Sequence, residues 1–306
     1  MRITSLPATG APSLDPVHDL RALTEFPFMV NALEAGTIVA VMAGVVGWFM
    51  VVRRQTFAGH TLSLMSFPGA SGALLIGLSA AAGYFLFSSA AALVIGLAAA
   101  GRGHGSRSQE SAITGAVQAF GLACGFLFLS LYEGVLSNYE TLLFGSFLGI
   151  TTAQVLALAA VAAGALATLA IAGRPLLFAS LDEHVARTHG VPTRALGVGF
   201  LVLLGLAVGE TAQITGALLV FALLVAPPAT AQLITSRIGL SLVLSVVIGA
   251  LVTWVGLALA YFYGYPVGFY ITTTAFAGYL LARAGRALAD RGPLLGARAQ
   301  TPVAGT

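Results

Sequence analysis

Long apolar stretches separated by short polar gaps set the pattern of this chain. The stretches run at about 30–52, 62–81, 84–101, 112–131, 150–172, 194–210, 214–234, 239–262 and 267–283. Each approaches the roughly 20 residues that a helix needs to cross a bilayer, so the pattern predicts an all-α transmembrane bundle of about nine spans. If the spans alternate, Arg53 and Arg54, then Arg102 and Arg107, then Arg174, Arg187 and Arg194, then Arg237, and finally Arg283, Arg286, Arg291 and Arg298 share one face. Arg accumulates on the cytoplasmic side of membrane proteins, which orients the bundle. The opposite gaps, at 132–141, 209–213 and 261–268, carry no Arg, and two of them contain Tyr.

Composition agrees with this pattern. Hydrophobic residues make up 58% of the chain and charged ones 8%, with a mean hydropathy of +0.95. That leaves too little polar surface to solvate a fold of 306 residues. In a soluble protein the positive balance would suggest a nucleic-acid partner; in a membrane chain it reports orientation. Residues 1–28 read as a tail with an interfacial segment, 29–284 as the transmembrane domain and 285–306 as a flexible cytoplasmic tail. The first segment has no apolar core of signal-peptide length.

Catalytic motifs are missing from the sequence. It has neither a His-Glu-x-x-His helix nor a Gly-x-Ser-x-Gly elbow, and all 14 basic residues are Arg, so a P-loop lysine is excluded. The chain reads as a non-enzyme, and any ATP hydrolysis that drives it belongs to another subunit. The single Cys124 lies in an apolar stretch and reads as a packing residue. Gly121 and Gly125, Gly145 and Gly149, and Gly205 and Gly209 have the spacing that lets helices approach closely. General bundle packing is favoured over a dimer seam for these pairs.

The segment Arg174–Arg194, RPLLFASLDEHVARTHGVPTR, is the longest polar one between spans in the second half. Asp182 and Glu183 suit the first turn of a short helix, where acids complement the helix dipole, and Gly190 with Pro192 ends it. With small Ala186 allowing close approach, this helix could dock in a partner's groove; an ordinary loop helix fits the composition equally well.

Five segments in order carry a resemblance: Arg53-Arg54, GHTLSLMSFPGASG at 59–72, LLFGSFL at 142–148, SLDEHVARTHGVP at 180–192 and TGALLVFALLVAPPATAQLI at 215–234. Together they resemble the ABC importer permeases of the zinc and manganese type, over about residues 27–284. The resemblance implies a fold similar to the vitamin B12 importer permease and a homodimer in the bacterial plasma membrane. It also implies cargo delivered by an extracytoplasmic metal-binding protein and power from cytoplasmic ABC ATPases. Divalent metal is then the transported substrate, no cofactor is held permanently, and Asp182, Glu183, Ala186 and Gly190 belong to the ATPase-coupling helix.

The cargo path departs from the family pattern. The family segment after the double Arg reads Gly-Asp-x-x-Ser-His; here the Asp position is His60 and the His position is Leu64. A family acid after LFG is Ser146. Loss of oxygen ligands weakens manganese most and leaves zinc as the favoured ion, through His60. A chelated metal or small organic cargo is the runner-up, and an ATP-independent transporter comes behind both. His60 is the metal candidate, against a hydrated position at the start of its span. Ser63, Met65, Ser66, Ser146 and Glu210 are the remaining pathway candidates. Packing is the commoner role for Met65, and solvent exposure the favoured one for Glu210. Glu34 is interfacial or vestibular. His184 and His189 read as surface residues, and Pro227 and Pro228 as a kink.

Overall fold

The structure is a computed structural model that describes residues 25–100, 107–132, 143, 149–217 and 220–297. Among the described residues it contains ten helices and no strand. In chain order they are α1 (Pro27–Val52), α2 (Thr56–Leu75), α3 (Ala80–Ala100), α4 (Arg107–Leu131), α5 (Thr152–Leu181), α6 (Glu183–Thr188), α7 (Thr193–Thr215), α8 (Val220–Ile234), α9 (Ile238–Tyr263) and α10 (Val267–Ala297). Six of them, α1, α3, α4, α5, α7 and α9, are long and apolar enough to cross a membrane.

Backbone signals set several boundaries. The α1–α2 and α2–α3 connections are tight turns closed by the same pair of hydrogen bonds. At the end of α2 the Gly77 amide donates to the Leu74 carbonyl and the Leu78 amide to that of Ala73, with Gly77 at φ +78°. This is the left-handed helix stop that glycine favours. At the end of α1 the same pattern places Arg54, not a glycine, at φ +57°. The second span therefore begins at Thr56 rather than near 62: the polar residues that follow the double Arg continue the helix.

The gap expected at 209–213 does not exist, because α7 runs through it to Thr215. What ends α7 is Gly216, at φ +76° and ψ 160°, a conformation essentially reserved for glycine. Gly216 separates α7 from the following helix, which is described from Val220 on. At the other end of the bundle α10 continues to Ala297, so residues 285–297 are helical rather than a flexible tail.

Glycine-lined contacts hold the bundle together. A methyl group added to Gly47 of α1 would fall on the Leu224 carbonyl of α8, and one on Gly69 of α2 on the Gly83 carbonyl of α3. Gly205 and Gly209 of α7 face Ser88 and Phe85 of α3, while Gly121 and Gly125 of α4 face Met65, Phe67 and Pro68 of α2. Both glycine pairs are thus spent on packing within the chain; Gly149 has open space around it, and Gly145 lies outside the described residues. Hydrogen bonds add to the α1–α9 contact. Trp48 Nε1 donates to Ser241 Oγ at 3.0 Å, Ser245 Oγ to the Gly44 carbonyl at 2.8 Å, and Trp254 Nε1 to Thr37 Oγ1 at 2.8 Å. Small residues and interhelical hydrogen bonds do the work that water-driven burial does in soluble proteins.

A chain that depends on these contacts is sensitive to one methyl group at Gly47. Gly47→Ala should destabilise the detergent-solubilised protein by about 1–3 kcal/mol, because the obstacle is backbone. Gly164→Ala, in open space on α5, should be neutral or stabilising by up to about 1 kcal/mol. Thermal denaturation of the two variants side by side measures the difference.

Candidate functional site

Two regions carry the polar groups that the sequence singled out: a stripe along α2 with its surroundings, and the short helix α6. On α2, His60, Ser63, Leu64 and Phe67 recur at helical spacing and share a face. The His60 ring meets Phe221 of α8 edge to face, with centroids 5.0 Å apart. His60 Nδ1 is sealed from solvent and has no hydrogen-bond partner, so this nitrogen is not hydrated at the start of the span. Ser63 Oγ donates to the His60 carbonyl at 2.7 Å.

Met65 and Ser66 point elsewhere. Met65 is buried with its sulfur against Gly121 of α4, a packing role. Ser66 Oγ lies 3.3 Å from Ser88 Oγ of α3. Ser146 lies outside the described residues. Among the described residues, no three His, Cys, Asp or Glu side chains come together as a metal-binding group.

Leu64, at the position of the family histidine, lines an apolar cavity of about 220 Å³. Among the described residues, Phe67, Leu122, Phe126, Leu129, Leu143 and Ala217 line it as well. Ala217 follows Gly216 in the non-helical backbone after α7, and Gly216, Ala217 and Val220, the first described residue of α8, are all buried. The 15 residues of α8 extend only about 22 Å, less than the hydrocarbon thickness. Its early residue Phe221 touches His60, and Leu224 touches Gly47 near the end of α1. The chain therefore turns back inside the bundle. Non-helical backbone at such depth is tolerated only when surrounded by protein or lining a cavity.

Glu210 is not the exposed residue that its GETAQ context suggested. Its side chain is 0% exposed, and neither carboxylate oxygen has a hydrogen-bond partner. The apparent outer gap is the last part of α7, enclosed by α3 on the Gly209 side. Nothing in the local sequence signals this, because burial follows from α7 continuing for five residues beyond Glu210. By contrast, Glu34, His184 and His189 are exposed.

At the Arg-rich end, α6 is built as the sequence suggested, with one reversal. Asp182 is its N-cap, Oδ1 accepting the Val185 amide at 3.0 Å. Glu183 pairs with Arg187 one turn on, and Arg187 Nε donates to Thr193 Oγ1 at 3.0 Å. Gly190, at φ +77°, ends the helix, its amide bonded to the Arg187 carbonyl and that of Val191 to the Ala186 carbonyl. The reversal concerns Ala186, which is 0% exposed. Its small size serves close approach to its own bundle, while every other residue of α6, with Leu181 and Asp182 before it, is exposed.

Arg53 joins the two regions, and its spacing alone gave no sign of that role. Nε donates to Gln55 Oε1 and Nη1 to Ser180 Oγ, both at 3.1 Å, while the guanidinium carbon stands 5.2 Å from the centre of the Phe200 ring. One side chain thereby ties the α1–α2 turn to the last turn of α5, two residues before Asp182, and to α7 just after α6.

Comparison with known proteins places this arrangement. The chain is 30% identical over 248 residues to "Chelated iron transport system membrane protein YfeC" of Yersinia pestis, covering 81% of this chain and 83% of that protein. It is 26% identical to "Manganese transport system membrane protein MntC" of Halalkalibacterium halodurans, covering 85% and 88%. In the solved structure "PsaBC from Streptococcus pneumoniae in complex with Fab", one chain superposes with a TM-score of 0.76 at 27% identity, covering 87% of this chain and 94% of that one. Residues 25–285 match the family described as "ABC 3 transport family". With its long apolar helices the protein is a multi-pass protein of the bacterial cell membrane, and it belongs to the ABC 3 transport family.

Proposed function

We propose that this chain is the membrane permease subunit of an ABC importer for divalent transition-metal ions. The observation that carries the reading is the family match along residues 25–285, with relatives named for manganese and chelated iron. In this reading two copies of the chain enclose the path, an extracytoplasmic binding protein delivers the metal, and cytoplasmic ATPases hydrolyse ATP. Nine helices, all those described except α6, cross or enter the membrane in alternation. The fold is of the vitamin B12 importer type. Hydrogen bonds between helix ends support this alternation. Arg53 meets Ser180 and Arg286 meets the Leu233 carbonyl at the Arg-rich side, and Asn31 meets the Ile150 carbonyl at the other.

Mechanistically, α6 receives the motion of the ATPase, and Arg53 passes it to the head of α2, which carries His60. Packed elements with two discrete arrangements convert such a displacement into opening and closing of a path. For cargo, the relatives favour manganese or iron over the zinc preference that His60 suggested. A second reading, a metal held in a chelate, is favoured by the wholly apolar cavity beside Leu64.

Metal content of cells lacking the chain tests the reading. Manganese or iron should fall and return with the wild type. His60→Ala should restore less metal while still copurifying with the ATPase. Glu183→Arg and Val185→Glu should lose both metal and ATPase; Val185 takes no part in the Glu183–Arg187 pair, so its variant separates docking from helix stability. No response from any metal, in cells where the chain is present with its ATPase, contradicts metal import.

Arg53→Ala should leave the ATPase bound and still hydrolysing ATP, yet cut uptake severalfold. Parallel assays of hydrolysis and uptake measure this uncoupling. Equal losses in the two would contradict the transmitting role.

A further inference from the structure

We propose that the Glu210 carboxylate is an intramembrane ligand for the divalent cation in transit. The inference rests on the metal-permease reading and adds to it an oxygen site deep in the bundle.

Several buried polar atoms have no hydrogen-bond partner, among them Ser89 Oγ, Tyr261 Oη and Thr272 Oγ1. Those are neutral hydroxyls. Glu210 differs in kind, since an enclosed carboxylate must be neutralised by a proton, a basic side chain or a metal ion. Among the described side chains, the basic ones on the long helices packed around α7 are His60 of α2, Arg174 of α5, and Arg283 and Arg286 of α10. None of them bonds to Glu210, and the three arginines are exposed at the surface. Among the described residues, no side-chain cation compensates the acid.

The helix makes the demand for positive charge stronger. Five residues beyond Glu210 α7 ends, and its last turn carries the partial negative charge of the aligned peptide dipoles. That end is itself buried: Thr215 and Ala217 are both 0% exposed, and Gly216 breaks the helix beside them. Interrupted membrane helices present such C-terminal ends to cations in transporters, and here a carboxylate lies within two turns of one. The hydroxyls of Thr211 and Thr215 donate back to the Ala207 and Thr211 carbonyls, so they do not quench the acid.

Contacts between helices give the depth of Glu210. Gly205 of α7 is level with Ser88 and Gly209 with Phe85, while Ser66 of α2 is also level with Ser88. Glu210 therefore lies beyond Ser66 as seen from His60, toward the face opposite the arginines. A metal entering from that face would meet the oxygen of Glu210 before the nitrogen of His60. Carboxylate oxygen suits manganese better than zinc.

The test uses the full-length chain with its ATPase in lipid nanodiscs, with Mn²⁺ alone and Zn²⁺ alone as probes. Mn²⁺ should raise the melting temperature of the wild type and leave that of Glu210→Gln unmoved. Loss of a ligand should weaken Mn²⁺ binding at least as much as loss of an outer-shell partner does, about tenfold. Zn²⁺ should be affected less, and Glu210→Asp should retain part of the Mn²⁺ response. Carbodiimide labelling of the wild type, read by mass spectrometry, is independent of any substitution: Mn²⁺ should protect Glu210. Mn²⁺ binding by Glu210→Gln equal to the wild type, or labelling unchanged by Mn²⁺, overturns the proposal. In that case metal import can stand, since uptake by the wild-type complex is scored separately. Absence of uptake of every metal by the wild type removes the parent reading and this one with it.

Discussion

Lipid gives helices no hydrophobic reason to leave it, so the contacts that decide this fold are those where two backbones come within touching distance. The close approaches of α1 to α8, α2 to α3 and α3 to α7 each depend on a glycine whose missing side chain leaves room for a neighbour's main chain. Dispersion between such surfaces grows with the number of atoms in contact, and a single methyl group forces the pair apart. Everything polar in the interior is positioned by that framework. Gly47 sets how deep α8 sits, α8 brings Phe221 onto His60, and the Gly205 and Gly209 contact with α3 fixes the height of Glu210.

The same constraint explains why the mechanical and chemical parts lie where they do. At the Arg-rich end the chain has polar groups to spend, and α6 is held by an N-cap, an ion pair, a bond to Thr193 and a glycine stop. Within the bundle, polar groups are few and mostly committed to their own helix carbonyls. A group that is left over there is conspicuous. Arg53 stands between the two regimes, close enough to the interface to remain hydrated and deep enough to stack on Phe200.

Much of this was legible in the sequence. Apolar stretches located the helices because membrane spans must be both long and apolar. The acids at 182 and 183 and the Gly190 stop announced the ends of α6 through helix-end chemistry, which is local. The failures share a cause. Ala186 was read as facing a partner, but which side of a short helix is buried depends on α5 and α7. Glu210 was read as exposed because an acid beside Gly209 looks like a gap; the stop was seven positions beyond that glycine, at Gly216. The break at Gly216 was invisible, since an apolar stretch reads the same with or without a glycine stop before it.

The account's central claim is that this chain carries metal ions inward when a partner hydrolyses ATP. ATP-dependent accumulation of radioactive manganese in proteoliposomes that contain the chain, its ATPase and its binding protein tests it most directly. The account predicts accumulation that requires ATP and all three components, with unlabelled manganese or iron competing better than zinc. Hydrolysis that responds to the binding protein while manganese, iron and zinc all stay outside would contradict it.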